Sequence, residues 1–181
     1  QVLLNGQFVA STAWHSQSAN KRSFNMDLMP SELVAGLEVH KSPTASLDEG
    51  GVGGTVVMRT RQPLDLDAGT FYASAEANTN SLADDEGVGA TLLGSWKNDD
   101  ETWGLLGAIS TLETVGRRRN AENYWEEGWS AAGLAAFDQD RTRDAYDLTA
   151  QFAASDRLEL SLHYLRTDLD AANTNQNFLT I

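Results

Sequence analysis

The chain has no cysteine, three prolines and no long apolar run. Without cysteine there is neither a disulfide framework nor a thiolate ligand or nucleophile. No stretch approaches the ~18 apolar residues of a transmembrane helix, so any membrane residence must come through strands. Positive charge is also scarce: 13 Lys and Arg stand against 26 Asp and Glu, a net charge of -13 over 181 residues. Such a balance disfavours nucleic acid, whose binding depends on cations that displace phosphate counterions. The chain opens at Gln1 without the basic and apolar regions of a signal peptide. Both ends read as cut, since Gln1–Ala10 begins directly on a strand pattern and Phe178-Leu179-Thr180-Ile181 begins a new one.

The richest stretch is Asp27 to Pro63. Pro30-Ser31-Glu32 predicts a short helix, because proline suits a first turn and an acidic residue suits the positive dipole end. Gly36 is expected to end it, and Leu37 to Lys41 alternates as a strand does. A helical turn is expected over Thr44 to Asp48 after Ser42-Pro43. Gly50, Gly51, Gly53 and Gly54 then precede a β-rich run, Thr55 to Thr60. A phosphate loop would lead into a helix with Lys-Ser/Thr, which is missing here, so the glycines predict a structural turn. Asn5-Gly6 predicts a hairpin turn, Ser11 to Ser23 a polar loop, and Phe24 to Leu28 a return to the core.

In order and spacing, this stretch resembles the C-terminal half of the plug of TonB-dependent outer-membrane receptors. The matching residues are Met29-Pro30, Glu38 to Pro43, Glu49 to Val56 and Arg59 to Pro63. The resemblance implies a small α+β plug segment over 1–63, and the first strands, about five, of a transmembrane β-barrel over 64–181. It further implies an outer-membrane location in a Gram-negative bacterium and active import of a scarce substrate, with no enzyme activity. The partners implied are the TonB complex, acting through a segment upstream of Gln1, and outer-membrane lipid. The wording is closest to the branch known from Xanthomonas- and Caulobacter-like bacteria, which favours an oligosaccharide over a ferric siderophore. The alternative is a soluble β-rich binding or adhesion module without transport activity.

Beyond Pro63 the period becomes two. Apolar Phe71, Val88, Leu92, Trp96, Trp103, Leu105, Ile109, Tyr146, Leu148, Leu158, Leu160 and Leu162 alternate with Thr91, Ser95, Asp147, Thr149, Gln151, Glu159, Ser161 and His163. This predicts antiparallel strands of roughly ten residues, the length of a tilted membrane strand. Asn98–Glu101 and Ala154–Arg157 are expected as tight turns, Thr79–Glu86 and Thr114–Arg143 as longer loops. In this phase lipid is expected at Leu92 and Leu160, and water at Thr91 and Ser161.

The candidate sites follow from that frame. Arg59 and Arg61 lie one strand repeat apart, and Glu76, Asp147 and Glu159 face inward, so these five are candidate plug-to-wall contacts. Tyr124, Trp125, Glu126, Glu127 and Trp129 form a candidate extracellular ligand loop, whose rings suit sugar faces and whose carboxylates suit sugar hydroxyls. Arg117-Arg118-Arg119 reads as a solvated strand end or an anion contact. His15, His40 and His163 lack ligand spacing, so no metal or cofactor is expected; Asp84-Asp85-Glu86 is at most a weak calcium site. A Ser-His-Asp set lacks a nucleophile elbow.

Overall fold

A computed structural model describes residues 1–9, 24–45, 47–126 and 129–180. Over these the protein is mainly β. Strands β1 (Val2–Leu4), β2 (Val34–His40) and β3 (Thr55–Thr60) form a small sheet in the order β1-β3-β2. Strands β4 (Phe71–Thr79), β5 (Glu86–Lys97), β6 (Trp103–Glu126), β7 (Trp129–Ser155) and β8 (Leu158–Thr180) form a second sheet in sequence order. Their connections are far too short for parallel crossovers, so this sheet is an antiparallel meander. It is not closed: β4 and β8 are its edges.

Two compact units emerge. One comprises Gln1–Ala73, Thr91–Ser110 and Ala145–Thr167; the other comprises Ser74–Ala90, Thr111–Asp144 and Asp168–Ile181.

In the first unit the small sheet is built around β3. It pairs antiparallel with β2 and parallel with β1, Leu3 lying opposite Val57. Leu3, Leu4, Phe24, Leu28, Met29, Leu33, Val57 and Met58 are its buried core. Asn5 and Gly6 both take positive φ, 50° and 79°, and Leu4 bridges Gln7, so the expected tight turn is present. The main partner of β1 is nevertheless β3, more than fifty residues away. Sequence periodicity carries no information about that pairing.

The expected helix at Pro30 is corrected. Pro30 caps a single 3₁₀ turn, Ser31–Leu33, closed by Leu33 N–H donating to the Pro30 carbonyl at 3.2 Å. One turn cannot repay helix nucleation, and pairing with β3 takes the backbone from Val34 onward. Gly36 therefore ends nothing: it lies inside β2, where the register with β3 slips between Val34 and Gly36, a bulge. The turn near Thr44 includes a hydrogen bond from Leu47 N–H to the Thr44 carbonyl. Ser46 and the expected loop at 11–23 lie outside the described residues.

The loop expected over Thr114–Arg143 is also corrected. Strands β6 and β7 run through most of it, with 24 and 27 residues. Within the second unit, Arg117 Nη1 donates to Asp140 Oδ1 at 2.8 Å and Arg119 Nη1 to Asp138 Oδ1 at 2.6 Å. Between them, the Arg118 guanidinium lies 5.6 Å from the Phe137 ring centre. Charges that read singly as solvated are partners across a ladder. The polar run after Asn173 likewise continues β8 to Thr180.

Candidate functional site

Alternation determines what each face of the long strands carries. In the first unit, the face bearing Thr91, Leu93, Ser95, Leu106, Ala108, Ser110, Asp147, Thr149 and Gln151 is buried. The opposite face bears Leu92, Trp96, Trp103, Leu105, Ile109, Tyr146, Leu148, Leu160, Leu162 and Tyr164, each about half or more exposed. The usual order of a soluble sheet is largely inverted: mostly small and polar groups, with Leu93 and Leu106, lie inside, and most of the large apolar groups lie outside. Trp103 stacks on Phe152 at 4.2 Å along one border of the apolar face, and Tyr146 and Tyr164 lie toward the other. Thr91 does not meet open water as expected, because it is 3% exposed and its hydroxyl donates to Ser110 Oγ at 2.8 Å.

The segment that follows the small sheet meets the inner face through its backbone groups at Leu64. Leu64 N–H donates to Gln151 Oε1 at 2.9 Å, and Lys97 Nζ donates to the Leu64 carbonyl at 3.2 Å. Pro63 packs so closely on Gly104 that a β-carbon there would stand 2.9 Å from the proline Cβ. Asn5 Nδ2 lies 3.5 Å from His163 Nδ1, and the other His163 nitrogen lies 2.5 Å from Asp147 Oδ2. Asp147 is 5% exposed and also accepts from Thr149 Oγ1, so this carboxylate is satisfied from two sides.

Of the expected plug-to-wall charges, none meets another in the first unit. Arg59 forms a bidentate pair with Glu38 on the neighbouring strand β2. That hydrogen bonding, against a smaller opposing effect of desolvation, holds the Glu38 carboxyl below its ordinary range. Arg61 Nε donates to the Glu32 carbonyl at 2.7 Å and lines a cleft of 390 Å³ with Ser31, Thr70 and Tyr72. Glu159 accepts from Gln151 Nε2 at 2.9 Å, and Asp147 belongs to His163. Glu76 lies on β4 beside Gly89. A charged residue on a strand finds its partner most readily one strand away, where a cross-strand neighbour is ~5 Å distant. Gln151 and His163 escaped attention because they are not charged carboxylates or arginines, although their phase on the strands marked them as inward.

Among the four glycines of the turn, Gly50 and Gly54 take φ of 116° and 118°. A β-carbon on Gly54 would also stand 3.0 Å from the His40 carbonyl oxygen. At Gly51 it would stand 2.3 Å from Thr55 Oγ1, whereas Gly53 has open space around it. The expected ligand loop is not placed: the side chains of Tyr124, Trp125, Glu126, Glu127 and Trp129 lie outside the described residues. Among the described residues no cluster of His, Asp or Glu is arranged to hold a metal ion, Asp84-Asp85-Glu86 included.

A concavity in the first unit has a volume of 730 Å³. Its walls are the Asn5–Gln7 turn with Phe8 and Val9, the end of β3 with Gln62 and Asp65, and the inner positions Gln151, Glu159, Ser161, His163 and Leu165. One buried atom of a lining residue is anomalous. Gln62 Oε1 is buried with no hydrogen-bond partner among the described residues, while Gln62 Nε2 lies 3.4 Å from Thr60 Oγ1.

Comparison of the chain with protein-family models, curated proteins and solved structures finds no match.

Proposed function

We propose that this chain forms part of a TonB-dependent outer-membrane receptor, with a plug segment followed by strands of a transmembrane β-barrel. The observation that carries the reading is the inverted burial of the long strands. A soluble sandwich would turn Leu92, Leu105, Leu148 and Leu160 into its core and leave Thr91, Thr149 and Gln151 to water. Here they are arranged the other way, as in a barrel whose outer band faces hydrocarbon. On β5 that apolar face runs over Val88–Trp96, within the ~9–11 residues a tilted strand needs to cross a bilayer. No helix among the described residues is long and apolar enough to do so. The contacts that Leu64 and Asn5, flanking the small sheet, make with Gln151 and His163 of the inner face support a plug reading, as does the motif order from Met29 to Pro63.

In this reading the receptor imports a scarce substrate, an oligosaccharide before a ferric siderophore, by movement of the plug under TonB, without enzymatic chemistry. The location follows from the mechanism: the outer membrane of a Gram-negative bacterium. Single nitroxide labels test it. In detergent or lipid, labels at Leu92 and Leu160 are expected to be quenched by a lipid-soluble relaxant, and one at Ser161 by a water-soluble one. The opposite pattern at these positions removes the barrel reading.

A further inference from the structure

We propose that His163 is a pH-sensitive latch: as neutral imidazole it ties the Asn5–Gly6 turn to the inner face of β7 and β8, and on protonation it releases the turn. Three polar groups stand in a row, and the outer two fix what the middle one can do. The first is Asp147. It is 5% exposed; His163 Nε2 lies 2.5 Å from its Oδ2, and Thr149 Oγ1 donates to its Oδ1 at 3.3 Å. A carboxylate accepts, so Nε2 carries the proton, and Nδ1 of the neutral ring is then an acceptor.

At the other end is Asn5, whose amide cannot be turned over. The Thr60 backbone N–H donates to Asn5 Oδ1 at 2.9 Å, and a backbone N–H can only donate. Asn5 Nδ2 is therefore fixed as well. One of its hydrogens goes to Thr60 Oγ1 at 2.9 Å, and the other is left for His163 Nδ1, 3.5 Å away.

The ring spans the two. With Nδ1 bare, the contact to Asn5 is donor to acceptor. With Nδ1 protonated it is donor to donor, and attraction becomes repulsion. The same proton makes the Asp147 contact charge-assisted, so the ring stays on Asp147 rather than swinging aside. Protonation thus strengthens the bond within the wall and cancels the one to the turn. At 3.5 Å that contact is long for a hydrogen bond, which makes it the first to yield. Asn5 stays bound to β3 through Thr60 and through its own N–H, which donates to the Met58 carbonyl at 2.8 Å. The small sheet and its turn then keep their attachment at Leu64 and lose the one at Asn5.

Imidazole is the side chain that ordinarily changes charge between about pH 5 and 8. Arg59, Asp65 and Glu159 line the same concavity, but among the described residues none pairs with the ring. Arg59 is engaged by Glu38, and Glu159 accepts from Gln151. That release of the turn loosens a plug rests on the receptor reading above, whereas the latch itself rests on these contacts alone.

The test uses the full chain in detergent micelles. Since the chain has no cysteine, Gln7→Cys places a single nitroxide on the exposed end of the turn. Its spectrum is read from about pH 8 to about pH 5, beside the ring-nitrogen NMR shifts of histidine-labelled protein. The ratio of mobile to immobile label is expected to rise about two- to tenfold toward acid, the range that one ordinary hydrogen bond supplies. The rise is expected to track protonation of His163, whose neutral ring carries its proton on Nε2. His163→Gln offers an N–H to Asp147 and an oxygen to Asn5 without titrating, and is expected to hold the turn throughout. Asn5→Asp, which keeps an acceptor for Thr60 and turns an acceptor to the protonated ring, is expected to reverse the sign.

A ratio that does not change with pH overturns the latch. So does a change that survives in His163→Gln, a neutral ring protonated at Nδ1, or an Asn5→Asp turn that loosens toward acid as the wild type does. These results are separable from failure of the receptor reading. A protein that is monomeric without detergent yet shows the transition loses the receptor and keeps the latch. One inserted in lipid without the transition keeps the receptor and loses the latch.

Discussion

Single residues of the first unit are held by neighbours that the chain brings from far away. Asp147 is the clearest, a buried carboxylate whose donors are His163 and Thr149. Its satisfaction depends on both, since a buried ion that loses a donor keeps its desolvation cost. His163→Ala is expected to lower unfolding free energy by about 1.5–3 kcal/mol, and His163→Gln, which retains a donor, by less. Urea titration in detergent measures this, and equal stability of wild type and His163→Ala would show that the contact contributes nothing. Glu38 gives a pH prediction. Its pKa is lowered in the folded state from an ordinary 4.5, chiefly by the Arg59 hydrogen bond. A depressed carboxylate contributes stability that is complete above its unfolded pKa and is lost as pH falls through the folded one. The Glu38–Arg59 contribution therefore fades on the acid side of 4.5. Glu38→Gln is expected to flatten that part of the stability profile, read as unfolding midpoint from neutral pH to about pH 3. A variant profile superimposable on wild type in shape would count against the pair.

Strands are where the chain departs most from a soluble pattern. Each long strand carries large apolar groups on its exposed side, and the consequence is measurable at Leu105, which is 49% exposed on β6 between Trp103 and Ile109. If that side faces hydrocarbon, Leu105→Arg costs about 2–4 kcal/mol for folding into lipid vesicles. At an ordinary water-facing position such a change stays within about 0.5 kcal/mol. Folding equilibria in vesicles decide between the two values. The length of β6 and β7 shows what periodicity misses. Runs such as Glu113 to Arg119 and Asp138 to Arg143 look like loops because charge is dense there. They are strands because Arg117 and Arg119 lie opposite Asp140 and Asp138, and only pairing reveals that.

For the molecule as a whole, the apolar side of the β4–β8 sheet and its two unpaired edges predict how it behaves in solution. An exposed apolar surface of this kind marks an interaction with membrane or protein, and open edges invite pairing with further strands. Without detergent the chain is expected to associate, and with detergent or lipid to be monodisperse, as read by sedimentation velocity. A monomer in plain buffer would end the membrane reading.

The sequence by itself determined the strand class, the phase that separates Leu92 and Leu160 from Thr149 and Gln151, the Asn5-Gly6 turn and the position of the glycine turn. These depend on local rules: a two-residue period, and backbone angles that only certain residues adopt. Tertiary structure decided the rest. The parallel pairing of β1 with β3, the loss of the Pro30 helix to β2, the continuation of β6 and β7, and the meeting of Asn5, His163 and Asp147 all depend on partners distant along the chain. The orphaned oxygen of Gln62 belongs to the same class. Whether a polar atom is satisfied is a property of what surrounds it in space, and no local pattern records it.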